Sequence, residues 1–90
     1  MTIFDLINNF IKKNNLKNYK FKKISFNYFE YVIKNKNYKL IIDIYKTYLT
    51  IKVFNYKTKK YLLTFKQTKD NFDKNIFVET LTDNISVLDI

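Results

Sequence analysis

Residues 38–56, YKLIIDIYKTYLTIKVFNY, alternate in a way that decides the fold. Leu40, Ile42 and Ile44 share one parity; after Lys46-Thr47 the alternation restarts on the other, with Leu49, Ile51 and Val53 separated by Thr50, Lys52 and Phe54. A period of two marks a strand that buries one face against a core. Tyr38–Lys46 and Tyr48–Tyr56 therefore predict two neighbouring strands, and a connection this short makes them antiparallel.

Working outward, Asn35-Lys36-Asn37 and Lys57-Thr58-Lys59 bracket the pair. Asn tolerates the positive φ that tight turns require, so the first segment predicts a turn in a chain with no glycine, and the polar second segment predicts another. Downstream, Tyr61, Leu63 and Phe65 predict a last strand, with Thr64 and Lys66 on its other side. Upstream, Ile24, Phe26, Tyr28 and Val32 share one parity, while Phe29, Tyr31 and Ile33 share the other. That stretch is apolar on both sides, as for a strand near the middle of a sheet. The phase slips after Phe21, so Tyr19–Lys22 is a lead-in or is followed by a bulge. The expectation is a four-stranded antiparallel meander.

The two ends change period. Ile3, Leu6, Ile7, Phe10 and Ile11 recur at three- and four-residue spacing and predict a helix over 3–14. Thr2 and Asp5 stand in capping-box positions, Lys12 and Lys13 suit the negative end of the helix dipole, and Asn14-Asn15 can make the left-handed exit. At the far end Phe77, Val78, Leu81, Ile85 and Leu88 form a helical stripe, with Glu79, Asp83 and Ser86 facing away and Asp73 as N-cap. A hairpin turning at Asp83-Asn84 is the alternative for 74–88; the helix is preferred. The fold class is α+β: N-terminal helix, four-stranded meander, C-terminal helix, with both helices on one sheet face and residues 1–90 forming a single domain.

Composition limits the chemistry. Lys, Asn, Ile, Phe, Tyr and Leu fill 66 of the 90 positions, the pattern of an A- and T-rich gene. The chain has no Gly, Pro, Cys, His, Trp, Ala or Arg. Without His or Cys, the usual zinc, haem and iron–sulfur ligands are missing, and Ser–His–Asp or Cys–His catalysis is excluded. Without Gly there is no phosphate-cradling loop of the Walker or Rossmann kind. Asp70, Asp73, Glu79 and Asp83, or Glu30 with Asp43, are the remaining carboxylate sets, and neither has a recognised metal-binding spacing. The sequence therefore predicts no enzyme and no cofactor. The N-terminal segment does not read as an export signal, and no apolar run approaches the ~20 residues that cross a bilayer, so a cytoplasmic protein is expected.

Charge points to the partner. The net charge is +9. Residues 1–69 hold sixteen lysines against Asp5, Glu30 and Asp43, a balance of +13, whereas 70–90 hold one lysine against five acids, a balance of −4. The basic part attracts polyanions. On the strand parities above, Lys39, Ile41, Asp43, Tyr45, Tyr48, Thr50, Lys52, Phe54 and Tyr56 face away from the helices, followed by Leu62, Thr64 and Lys66. Aromatic rings flanked by lysines can stack bases while the lysines neutralise phosphates. The candidate binding residues are Lys39, Tyr45, Lys52, Phe54, Tyr56 and Lys66. Arg is the residue suited to bidentate base reading, so its absence argues against sequence-specific recognition.

The opening residues Met1–Ile7, MTIFDLI, together with the element order, resemble the small phage-encoded anti-CRISPR proteins of low-GC hosts. That resemblance implies a non-enzymatic phage or mobile-element protein that inhibits a host nucleic-acid-handling defence complex. Its partner would be an effector protein or ribonucleoprotein of CRISPR–Cas type. The short effector inhibitors of this kind are acidic mimics of DNA, whereas this chain is basic, so engagement of guide RNA or of an acidic patch on the effector is the corresponding expectation. The element order is also similar to the double-stranded RNA-binding domain, but Asp70–Asp83 is acidic where that family carries a lysine cluster. The alternatives are a weakly specific RNA or single-stranded DNA binder and a toxin-neutralising immunity protein. A homodimer could form by pairing of an edge strand near Tyr61–Lys66, whose lysines also oppose such pairing.

Overall fold

A computed structural model of the chain describes residues 2–88, with side chains described as far as Ser86. Helix α1 spans Ile3–Lys13, strands β1 to β5 span Tyr19–Ser25, Tyr28–Lys34, Tyr38–Tyr45, Tyr48–Asn55 and Lys60–Thr68, and helix α2 spans Lys74–Leu88 after a short 3-10 turn at Lys69–Asn71. The strands form one antiparallel sheet in the order β1-β2-β3-β4-β5, so each is hydrogen-bonded to its sequence neighbours.

The local signals act as their chemistry requires. At the start of α1, Asp5 N–H donates to the Thr2 hydroxyl and Thr2 N–H donates to the Asp5 carboxylate, both at 3.1 Å. Those hydrogen bonds hold the Asp5 pKa below its ordinary value. The helix ends through Asn15 at φ 53°, with Leu16 N–H donating to the Ile11 carbonyl. Asn35 Oδ1 accepts from the N–H groups of Asn37 and Tyr38 at 2.9 and 2.8 Å, which makes the β2–β3 turn. Asn55 does the same for Lys57 and Thr58 before β5. Lys59 then takes φ 57°, a left-handed position that lacks the glycine it would favour. Asp73 caps α2 through the N–H groups of Asn75 and Ile76.

Both helices cover the same sheet face. Ile7, Phe10 and Ile11 of α1 and Phe77, Leu81 and Ile85 of α2 pack with Tyr31, Ile33, Leu40, Ile42, Ile44, Leu49, Ile51 and Phe65. α1 lies toward β1 and β2, where Phe4 meets Phe21 and Phe29 edge-on and the Tyr31 hydroxyl donates to Asn8. α2 lies toward β5, where Phe77 meets Phe65 and Asn84 donates to the Thr64 hydroxyl. In the expected helical stripe, the side chain of Leu88 lies outside the described residues, as does Asp89 of the acidic stretch.

Two expectations are corrected. The sheet has five strands rather than four, because residues 19–34 form a hairpin turning at Phe26-Asn27. β1 is an edge strand, so the stretch that is apolar on both sides is divided between the edge and its neighbour rather than forming one central strand. Asn27 alone carried little turn signal, and Phe26 completed an apolar parity although it is 83% exposed in the turn. The pairing irregularity in β1 falls between Lys23 and Ser25 rather than just after Phe21.

The second correction concerns β5. A register shift places Ile51 opposite Phe65 but Lys52 opposite Leu63, leaving Thr64 as an extra residue. Phe65 faces the core, and Thr64 points the same way, toward Asn84. Tyr61 and Leu63 therefore fall on the other face beside Lys66, while Leu62 and Thr64, expected there, do not. Among the described residues no helix is long and apolar enough to cross a membrane.

Candidate functional site: the open sheet face

Strand alternation that sends Leu40, Ile42 and Ile44 under the helices sends Lys39, Ile41, Asp43 and Tyr45 to the uncovered face. Antiparallel register then sets side chains in rows across the strands. One row runs Lys22, Glu30, Asp43, Thr50, Lys66 and the next Lys20, Val32, Ile41, Lys52, Leu63. Beyond them lies Lys34, Lys39, Phe54, Tyr61 at one end of the strands, and the tyrosines 28, 45 and 48 at the other.

The centre is polar yet buried. Asp43 is 0% exposed without a helix above it. Its carboxylate is 3.0 Å from Lys52 Nζ, accepts from the Tyr28 hydroxyl at 2.7 Å and from the Thr50 hydroxyl at 3.4 Å. The Tyr28 oxygen is also 3.2 Å from Glu30, but a single phenolic proton serves one acceptor at a time, and the shorter contact is to Asp43. Burial first, then the hydrogen bond to Asp43 and the Asp43 charge, push the Tyr28 pKa well above the ordinary tyrosine value. Burial alone would lower the Lys52 pKa; its hydrogen bond and ion pair with Asp43 outweigh that and hold it raised. A buried carboxylate without such partners would cost several kcal/mol, on the order of 3–5.

Aromatic side chains flank this centre at both ends of the strands. Tyr45 stacks between Tyr28 and Tyr48, with centroid separations of 4.6 and 4.5 Å, and Lys66 Nζ lies 5.3 Å from the Tyr48 ring. At the opposite end Phe54 meets Tyr56 edge-on and Tyr61 at a tilt, with Lys39 over Phe54 and Lys52 over Tyr61. Each cation lies within the ~6 Å over which a ring attracts it.

All six candidate residues thus lie on or beside one face, in two groups. Lys39, Lys52, Phe54 and Tyr56 gather at the Tyr61 end; Tyr45 and Lys66 belong to the tyrosine stack. Lys52 is largely committed to Asp43, so its structural role exceeds the simple charge-supplying role expected of it. Tyr28, Tyr61, Lys20, Lys22 and Lys34 complete the surface and were not among the candidates. Period-two spacing could reach Lys20 and Lys22 only once β1 was separated from β2, and Tyr61 only once the bulge at Thr64 was known.

The acids of α2 are segregated from this surface. Glu79 and Asp83 are exposed on α2 while Phe77, Leu81 and Ile85 of that helix face the sheet, so these acids point away from it. The open face carries Lys20, Lys22, Lys34, Lys39, Lys52 and Lys66 against Glu30 and Asp43, a balance of +4. Among the described residues no group of three or more acids is placed to hold a metal ion. No protein family, curated protein or solved structure matches this chain.

Proposed function

We propose that the protein acts by attachment: its open sheet face binds single-stranded nucleic acid without reading its sequence. The carrying observation is the coincidence on one face of six lysines with two aromatic groups, while the acids of α2 point the other way. Aromatic stacking supplies about 1–3 kcal/mol per base and tolerates any base. The lysines supply a phosphate attraction that weakens as salt rises. Tyr56 and Tyr61 are the exposed rings of the Phe54 group and offer the free stacking surface; the Tyr28–Tyr45–Tyr48 stack is half-buried and offers an edge.

The resemblance of Met1–Ile7 to small anti-CRISPR proteins supports setting this attachment in a host nucleic-acid-handling defence complex, which the bound protein would inhibit by occupying the strand. No catalytic group is required, because steric and electrostatic occupation is sufficient.

Fluorescence anisotropy with a labelled single-stranded oligonucleotide tests the reading. Binding at about 50 mM salt that weakens by at least tenfold near 200 mM is the expected result. No binding at the lower salt removes it. Adding the protein to a guide-loaded CRISPR effector tests the inhibitory part separately, since undiminished cleavage would leave strand binding in place and remove the inhibition.

A further inference from the structure

At the β1–β2–β3 side of the open face, the flat surface gives way to a cleft of about 250 Å³. Lys20, Lys22, Lys34 and Lys39 line it, with Tyr19 and Tyr56 at its sides. Sheet geometry forces the convergence: Lys20 and Lys22 alternate outward on β1, and Lys34 pairs directly with Lys39 across β2 and β3. Val32, opposite Lys20, is the apolar residue between them.

The charge in this cleft is poorly compensated. Lys52–Asp43 is the single ion pair among the described residues, so none of the four cleft lysines has a carboxylate partner there. Glu30 is the one acid lining the cleft, which leaves a balance of +3. It stands opposite Lys22, two rows from the Lys34–Lys39 pair, and its carboxylate lies against the Tyr28 hydroxyl. Repulsion from Glu30 therefore directs an anion toward Lys20, Lys34 and Lys39, beside Tyr56. Three lysines lining one concavity match a doubly charged anion better than a singly charged one. A phosphodiester carries one negative charge, whereas a phosphate monoester carries about 1.5–2 at neutral pH and offers three acceptor oxygens.

We infer that this cleft is a binding site for a terminal phosphate monoester, borne by the end of a nucleic-acid strand or by a free mononucleotide, with Lys20, Lys34 and Lys39 holding the phosphate. The strand-borne case rests on the open-face reading above; the free-nucleotide case stands without it. Tyr56 is placed to lie against the attached sugar or base.

Two measurements test the site and separate it from the rest of the face. In the first, adenosine 5′-monophosphate is titrated into isotope-labelled protein and backbone amide resonances are followed. Saturable shifts centred on Lys20, Val32, Lys34 and Lys39 are expected for a free-nucleotide site. In the second, one oligonucleotide is compared with a 5′-phosphate and with a 5′-hydroxyl. A preference of about tenfold for the phosphorylated strand is expected, lost in the Lys20→Gln/Lys34→Gln double variant and retained in Lys66→Gln. Either positive result supports the site and identifies the source of its ligand. If the monophosphate moves none of those resonances and the two strands bind equally well, the inference is overturned while the open face stands. If neither strand binds but the monophosphate does, the open-face reading fails and the cleft remains.

Discussion

The two faces of this sheet reach the same degree of burial by opposite means. Ile42 and Asp43 are adjacent in β3 and both are 0% exposed. Ile42 is covered by helices and aliphatic neighbours, and removing water from it is favourable in itself. Asp43 has no helix over it, and its burial is tolerated because Lys52, Tyr28 and Thr50 satisfy the carboxylate. The helix-covered face therefore resists change in volume, and the open face resists change in hydrogen bonding and charge. A surface built in the second way can remain solvent-accessible around a rigid centre, as a binding face requires.

The comparison can be broken most severely on the covered side. Phe77→Ala should cost about 3–5 kcal/mol, because the ring is wholly buried between α2 and β5 and leaves a cavity. Chemical denaturation would show the midpoint falling sharply; a loss under about 1 kcal/mol would mean that α2 contributes little to the fold. On the open side, Lys52→Met should cost about 2–3 kcal/mol. It leaves Asp43 buried without its cation, though the third of Lys52 that stays exposed limits the loss. Restoring stability with the added change Asp43→Asn would tie the cost to the orphaned charge.

Tyr28→Phe sharpens the contrast at a smaller scale. Loss of the 2.7 Å hydrogen bond should cost about 1–2 kcal/mol near neutral pH. It should also alter the alkaline limb. Tyr28 and Lys52 both have raised pKa values in the folded protein. Each therefore holds its proton more tightly when folded, so stability is fully present below the unfolded values, about pH 10, and is lost as pH rises above them. Denaturation profiles between pH 8 and about 12 should fall less steeply in Tyr28→Phe than in the parent protein; identical slopes would show that the phenol is not protected. The smallest stability effect belongs to Lys66→Gln, within about 0.5 kcal/mol, since its side chain is exposed above Tyr48. Its effect should instead be on binding, reducing the salt-dependence slope for oligonucleotides by about one.

Much of the covered face is legible in the chain before folding is considered. The spacing of Ile3, Ile7, Phe10 and Ile11, and the alternation of Leu40–Ile44 and Leu49–Val53, place core residues without knowledge of any partner. Thr2, Asn35, Asn55 and Asp73 act through hydrogen bonds to backbone a few residues away, and Asn15 through its own positive φ, so their roles are local and readable. The open face is less legible. Lys39, Tyr45, Phe54 and Lys66 follow from parity, but Tyr61 depends on an extra residue in β5, and Lys20 and Lys22 depend on a turn at Phe26-Asn27. A chain without glycine or proline has few residues to mark where a bulge or a hairpin falls.

Periodicity, caps and charge imbalance are properties of neighbouring residues, so the chain by itself determined the N-terminal helix, the antiparallel sheet, its apolar face and the lysine excess ahead of an acidic end, and left 74–88 between a helix and a hairpin. Cross-strand register depends on the pairing of distant segments. Only the tertiary structure could decide that Asp43 meets Lys52 and Tyr28, that four lysines surround one cleft, and that the acids of α2 face away from it. These arrangements join residues through backbone pairing and packing, where one inserted residue reverses every side chain beyond it.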